Sequence, residues 1–123
     1  MTVLNAAATL QIAGNFGTDY ATSTIEVLAG TNVLATHSTT SWAATNTGSN
    51  GTATAVLANS GIATITGTGT QTATSATITD GTEVITLTVG LSGSGADLIL
   101  NTLTYINGET STISSLVLTV PAS

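Results

Sequence analysis

The chain has 123 residues, no lysine, arginine or cysteine, and six acids that give it a formal charge of -6. Its length suits one domain. A chain without basic side chains has little to set against phosphates, so nucleic acid and anionic membrane surfaces are excluded as partners.

The lack of cysteine removes disulfides and thiolate metal sites. Side-chain salt bridges are restricted to His37 in its protonated form. Stability must therefore come from burial and from backbone hydrogen bonds. Aromatic residues make up only 3% of the chain, and much of the 41% hydrophobic content is alanine. This predicts a thin core of Val, Ile and Leu, supplemented by burial against other chains. The Thr-, Ala- and Gly-rich text resembles a low-complexity tract, but its β-branched content and positive mean hydropathy oppose the signature of disorder. The start, "MTVLNAAATLQIAG", lacks the basic segment of a signal peptide, and no apolar run approaches the ~18 residues of a membrane span.

Residues 1–20 read as an N-terminal arm, irregular or short-helical. Only 3–12 has helical character, and Asn5 and Thr9 weaken it. Residues 21–123 read as the folded domain. "STIEVLAG" and "NVLATHST" form two strands around Gly30-Thr31-Asn32. "TNTGSNGT", 45–52, reads as an exposed loop, and "GTATAVLANSGIATITG" as two strands joined at Asn59-Ser60-Gly61. From Thr64 to Thr74 every even position is threonine, the period of a strand. After Ser75 and Ala76 the parity flips, which predicts a bulge or a crossover between sheets. Asp80-Gly81 then predicts a tight hairpin turn, with Ile85, Leu87 and Val89 sharing one face of the return strand. "ADLILN" follows the glycine- and serine-rich "GLSGSG". Asn107-Gly108 is the strongest short hairpin signal, and "SSLVLTV" ends before Pro121. About eight to ten short strands at this spacing predict an all-β, single-domain β-sandwich, jelly-roll-like.

Candidates for chemistry are few. His37, the sole histidine, shares strand parity with Val33 and Ala35. It has neither a triad nor a metal-ligand spacing beside it, so a packed or surface structural role is expected. The acids Asp19, Glu26, Asp80, Glu83, Asp97 and Glu109 are scattered and form no calcium loop. Asp80 and Asn107 suit turns, while Glu83 and Glu109 follow turns and should face water. Trp42 is either a core plug or an interface anchor. There is no G-x-S-x-G elbow, and "GTGTQTAT" lacks the lysine of a phosphate loop. Asn50 in "NGT" matches a glycosylation sequon by chance. No residue is assigned a catalytic, cofactor-binding or metal-binding role, and the chain is not expected to be an enzyme.

Four segments carry a resemblance: "TIEVLAGTNVLATHS", "ATSATITDGTEVITLTVG", "SGADLILN" and "INGETSTISSLVLTVPAS", covering 24–38 and most of 73–123. In pattern and order they resemble a family of small Thr- and Gly-rich virion proteins of tailed bacteriophages. The resemblance implies a capsid decoration (cement) protein on the capsid exterior, made in the host bacterial cytoplasm. It would bind the major capsid protein and its own copies, with a trimer favoured. Relatives of this kind carry some basic residues and a more obvious helix after the start. The departure suggests an arm that docks on a neighbour over residues 1–20. An alternative is a tail or fibre module that binds host glycans through an exposed aromatic, Trp42 or Tyr105. A third is a carboxylate hydrolase, which needs two acids brought together in a cleft.

Overall fold

The computed structural model describes residues 5–121; the parts of the expected helix and arm that fall on residues 1–4 lie outside them. The chain runs through a helix α1 (Ala6–Asp19), then β1 (Thr24–Ala29), β2 (Asn32–Thr47), β3 (Asn50–Leu57) and a 3-10 turn (Ala58–Gly61). It continues through β4 (Ile62–Thr64), β5 (Thr70–Thr72), β6 (Ser75–Thr79), β7 (Val84–Leu87) and β8 (Val89–Gly90). The last strands are β9 (Leu98–Leu100), β10 (Thr104–Ile106) and β11 (Thr110–Val120). The fold is all-β with one N-terminal helix. No helix among the described residues is long and apolar enough to cross a membrane.

The principal sheet has the order β7-β6-β1-β2-β3-β11-β9-β8, with β4 also on β11. β7 and β8 stand at opposite ends of this order, yet only Thr88 separates them in the chain. Leu87 and Val89 are two Cα steps apart, at most about 7 Å, so the two edges meet and the sheet wraps nearly shut. Asp97 fastens the join. Its Oδ2 accepts from the Thr88 backbone N–H and hydroxyl, each at 3.1 Å, and its own N–H donates to Thr88 Oγ1 at 3.0 Å.

Two long strands carry the sheet around the core. β2 pairs with β1 through Ser38, shifts register between Thr39 and Ser41, and then pairs with β3. β11 pairs in turn with β4, β9 and β3, with a shift between Ile113 and Ser115. Such shifts bend a strand and increase its twist, allowing one strand to serve two layers. Inside lie Ile25, Val27, Leu34, Ile65, Ile78, Leu87, Leu98, Leu100 and Leu116, as the Val/Ile/Leu reading predicts, together with the ring of Tyr105.

The threonine run changes sheet where its parity changes. β5 belongs to a separate ribbon with β10, whereas β6 joins the principal sheet beside β1. Ala73 bonds to Leu103 and Thr74 to Leu28, so consecutive residues reach across to the two sheets. Alternation therefore holds within each piece and breaks at the crossover.

Several boundaries differ from the sequence reading. The expected loop at 45–52 is the tip of a long β2–β3 hairpin, turning at Gly48-Ser49, with Gly48 at φ +62°. The turn at Asn59-Ser60-Gly61, all at positive φ, does not close a hairpin; it sends β4 to β11. Asn107-Gly108 does turn the chain, but β10 goes to β5 and β11 elsewhere, so the flanking strands do not pair with each other. The Asp80-Gly81 turn is a four-residue loop, 80–83, closed by Thr79 opposite Val84. The return strand breaks at Thr88, and Val89 joins β9 in a parallel pairing. Of the two alternatives for the arm, the helical one is realised in its described part, but the helix runs past residue 12, spans 14 residues and packs on β2 and β3 of its own chain.

Candidate functional site

His37 lies on the inward face of β2 opposite Ile25 and is only 4% exposed. The packed alternative is the one realised. Its Nε2 is 3.0 Å from Ser111 Oγ on β11, and Ser111 Oγ is 2.6 Å from the Tyr105 hydroxyl on β10. Three elements thus place a His–Ser–Tyr chain in the core. His37 Nδ1 is buried and has no hydrogen-bond partner. Burial lowers the imidazole pKa from its ordinary value and raises that of the Tyr105 phenol, with the Ser111 bond working against the latter shift. Both shifts favour the neutral forms, as expected of polar groups removed from water. Ser111 and Tyr105 are fully buried, so this histidine–hydroxyl pair has no face open to a substrate.

The aromatics gather elsewhere. Phe16 on α1 and Tyr20, which caps the helix four residues later, stack at 4.4 Å. Trp42 from β2 meets Phe16 edge-on at 5.0 Å, and its Nε1–H donates to the Tyr20 carbonyl at 2.7 Å. Trp42 is therefore a half-buried plug between helix and sheet. Its remaining surface lies in a groove of about 370 Å³ between Gly14, Gly17, Thr18 and Ala21 on the helix side and Ser41 and Ala44 on β2. Tyr105, the other aromatic named for sugar binding, is buried.

The acids remain at the surface. Asp80 Oδ1 accepts from the N–H groups of Thr82 and Glu83, both at 2.8 Å, and the Glu83 bond, then that of Thr82, holds its carboxyl below the ordinary value. Glu83 and Glu109 are exposed, as their positions after turns imply. Burial first, then the fields of Asp80, Glu83 and Asp19, raise the Tyr20 phenol pKa. A second hollow, about 590 Å³ and wide open, is walled by Asn101, Thr102, Thr104, Ile106, Glu109 and Thr110. It holds one carboxylate, and the Trp42 groove holds none. Neither offers the paired carboxylates that acid–base hydrolysis of a glycoside needs. Among the described residues, no group of three or more His, Asp or Glu comes together in a way that could hold a metal ion.

The sequence reading did not connect His37 with Ser111, because one serine among many carries no mark of its partner. It also did not gather Phe16, Tyr20 and Trp42, although the i, i+4 spacing of the first two was a usable signal.

No protein-family model, curated protein or solved structure matches the chain.

Proposed function

We propose that the chain is a non-enzymatic structural protein of a tailed-phage virion, a decoration protein that binds the major capsid protein on the outside of the shell. One observation carries the reading: acids and no lysine or arginine on a nearly closed β shell, with no pair of titratable groups in either of the two hollows described above. Such a surface suits association through backbone edges and small hydroxyl or methyl side chains. The resemblance over residues 24–38 and most of 73–123 supports the same reading.

The mechanism is mechanical. Each copy bridges neighbouring shell subunits, and many weak contacts repeated over a symmetric lattice add by avidity. The acidic exterior repels other particles and polyanions. The test is cryo-electron microscopy of particles carrying this chain. Density on the shell exterior, spanning adjacent subunits, is expected. Density confined to the tail, or none on any particle, overturns the proposal; the tail outcome would direct attention to glycans and the Trp42 groove.

A further inference from the structure

Among the described residues, no strand pairs with the outer edge of β2 at the hairpin end. β1 covers that side of β2 only as far as Ser38. The Thr39 N–H still reaches Ser23, and the chain at Tyr20 reaches the Trp42 ring nitrogen. From Ala43 to Thr47 no described strand lies on this side of β2. Thr47 and Asn50 close a two-residue turn, so ladder alternation directs the backbone N–H and C=O of Ala44 and Asn46 outward. The groove floored by Trp42 runs beside this edge, with Gly14, Gly17 and Ala21 as its opposite wall.

Proteins usually guard an open edge with a charge, a proline or a bulge. None stands here: between Glu26 and Asp80 the only titratable residue is His37, which is buried. Another short open edge, beyond Leu116 on β11, is followed by Pro121, which has no N–H to donate.

We propose that Ala43–Thr47 pairs antiparallel with the same segment of a second copy, forming a twofold dimer whose sheets join edge to edge. The occupant follows from three features. First, the edge is self-complementary: about Thr45, Ala44 of one copy stands opposite Asn46 of the other, and each pair exchanges both backbone hydrogen bonds. Second, the long uncharged stretch is where two chains of charge -6 meet with least repulsion. Third, α1 lies over the β2–β3 pair in each copy, so strand spacing puts the two helices about 10 Å apart, close to helix-packing distance. Walls of glycine and alanine permit that approach. This pairing produces dimers in place of the trimer that a thin core and a symmetric shell favour, and it holds in solution whether or not the chain decorates a capsid.

The test is sedimentation velocity of the full chain across a concentration series, with circular dichroism to establish folding. Wild type should sediment as twice the 12.0 kDa chain, and added salt should strengthen the dimer by screening like charge. Thr45→Asp places like charges directly opposite each other, because the exposed Thr45 pairs with itself across the joint, and self-association should weaken by about tenfold or more. Ala44→Pro removes an outward N–H without breaking the intrachain ladder and should have the same effect. Ala43→Val, and Val84→Asp on distant β7, should remain dimeric. A monomeric wild type, a trimer, or a dimer indifferent to both folded edge variants overturns the proposal.

Discussion

Ser111 stands between two side chains that differ in what burial costs them. Tyr105 spends its single hydroxyl proton or lone pair on Ser111 and is satisfied. His37 spends one nitrogen and leaves Nδ1 bare. Protonation would make both ring nitrogens donors and add a charge, with no acid poised to receive the bare Nδ1–H. Glu26 follows Ile25 on the opposite face of β1, and Glu109 is exposed ahead of β11. The lowering of the His37 pKa comes from burial. Above the unfolded value of 6.5 the ring is neutral in both states, so its contribution to stability is fully present. Below 6.5 the unfolded chain takes up a proton that the folded chain refuses, and stability declines until pH reaches the lowered folded value. Asp80 acts in a separate window, since its folded pKa lies below 3.8 and its contribution is lost only in stronger acid. Urea midpoints should therefore fall between about pH 7 and about pH 5 in wild type and stay level across that range in His37→Leu. A midpoint that falls equally in both proteins would assign the effect to the carboxylates. The histidine and its strand were legible in the sequence, but its inward direction was not: packed and surface roles stood open, and its parity mate Val33 is exposed beyond the register shift at Leu34. The Ser111 bond was not legible either, because it joins residues 74 apart on strands whose partners no local pattern specifies.

Helix α1 shows how far local propensity can mislead. Its sequence, AAATLQIAGNFGTD, contains two glycines and no charged residue in its first turn. Asn5 and Thr9 argue against a helix when propensity alone is counted, and the sequence reading stopped at residue 12. In the structure Asn5 is the N-cap, with its Oδ1 accepting from the Ala8 N–H at 2.9 Å. Thr9 is fully buried, and its hydroxyl reaches the Ala6 carbonyl at 3.0 Å and the Ser49 carbonyl at 2.8 Å. Asn5 is unfavourable inside a helix but favourable as its N-cap, and Thr9 weakens a free helix while strengthening this docked one. The glycines have separate roles. A Cβ on Gly51 of β3 would run into the backbone carbonyl of Thr9, so the helix rests on bare backbone there. A Cβ on Gly14 would meet Ala44 Cβ at 3.9 Å, an ordinary contact. Gly51→Ala should push the helix off the sheet and cost about 1–3 kcal/mol, whereas Gly14→Ala should be neutral or stabilise by up to about 1 kcal/mol. Thermal melts will give the signs. Trp42 fluorescence will show whether the loss is helix docking, because this sole tryptophan lies against Phe16. Equal destabilisation by both substitutions would remove the argument from close approach.

At the scale of the whole molecule the decisive feature is closure, and it was the least legible in the sequence. Periodicity shows which residues share a face of a strand, but it does not say which strand lies alongside. The threonine run revealed a crossover because its parity changed at Ser75; the meeting of β7 and β8 left no such mark. The join rests on Thr88 and on the carboxylate of Asp97, which accepts two bonds from it, while the Asp97 carbonyl accepts from the Val117 N–H at 3.2 Å. Asp97→Ala removes the side-chain bonds and leaves the backbone ones. Two lost bonds to a charged acceptor are worth about 3 kcal/mol in a buried setting and less where water competes; this site is partly exposed, so about 1–2 kcal/mol is expected. The loss should also have a location. Amide exchange should quicken in β8 and in the chain around Leu98, where the Leu98 N–H bonds to the Thr88 carbonyl at 3.0 Å, and remain slow at Ile25 and Val27 in the middle of the sheet. Uniform acceleration would mean that the sheet opens as one unit and that Asp97 is no clasp. Local acceleration would identify the β7–β8 join as the gate through which the shell first opens.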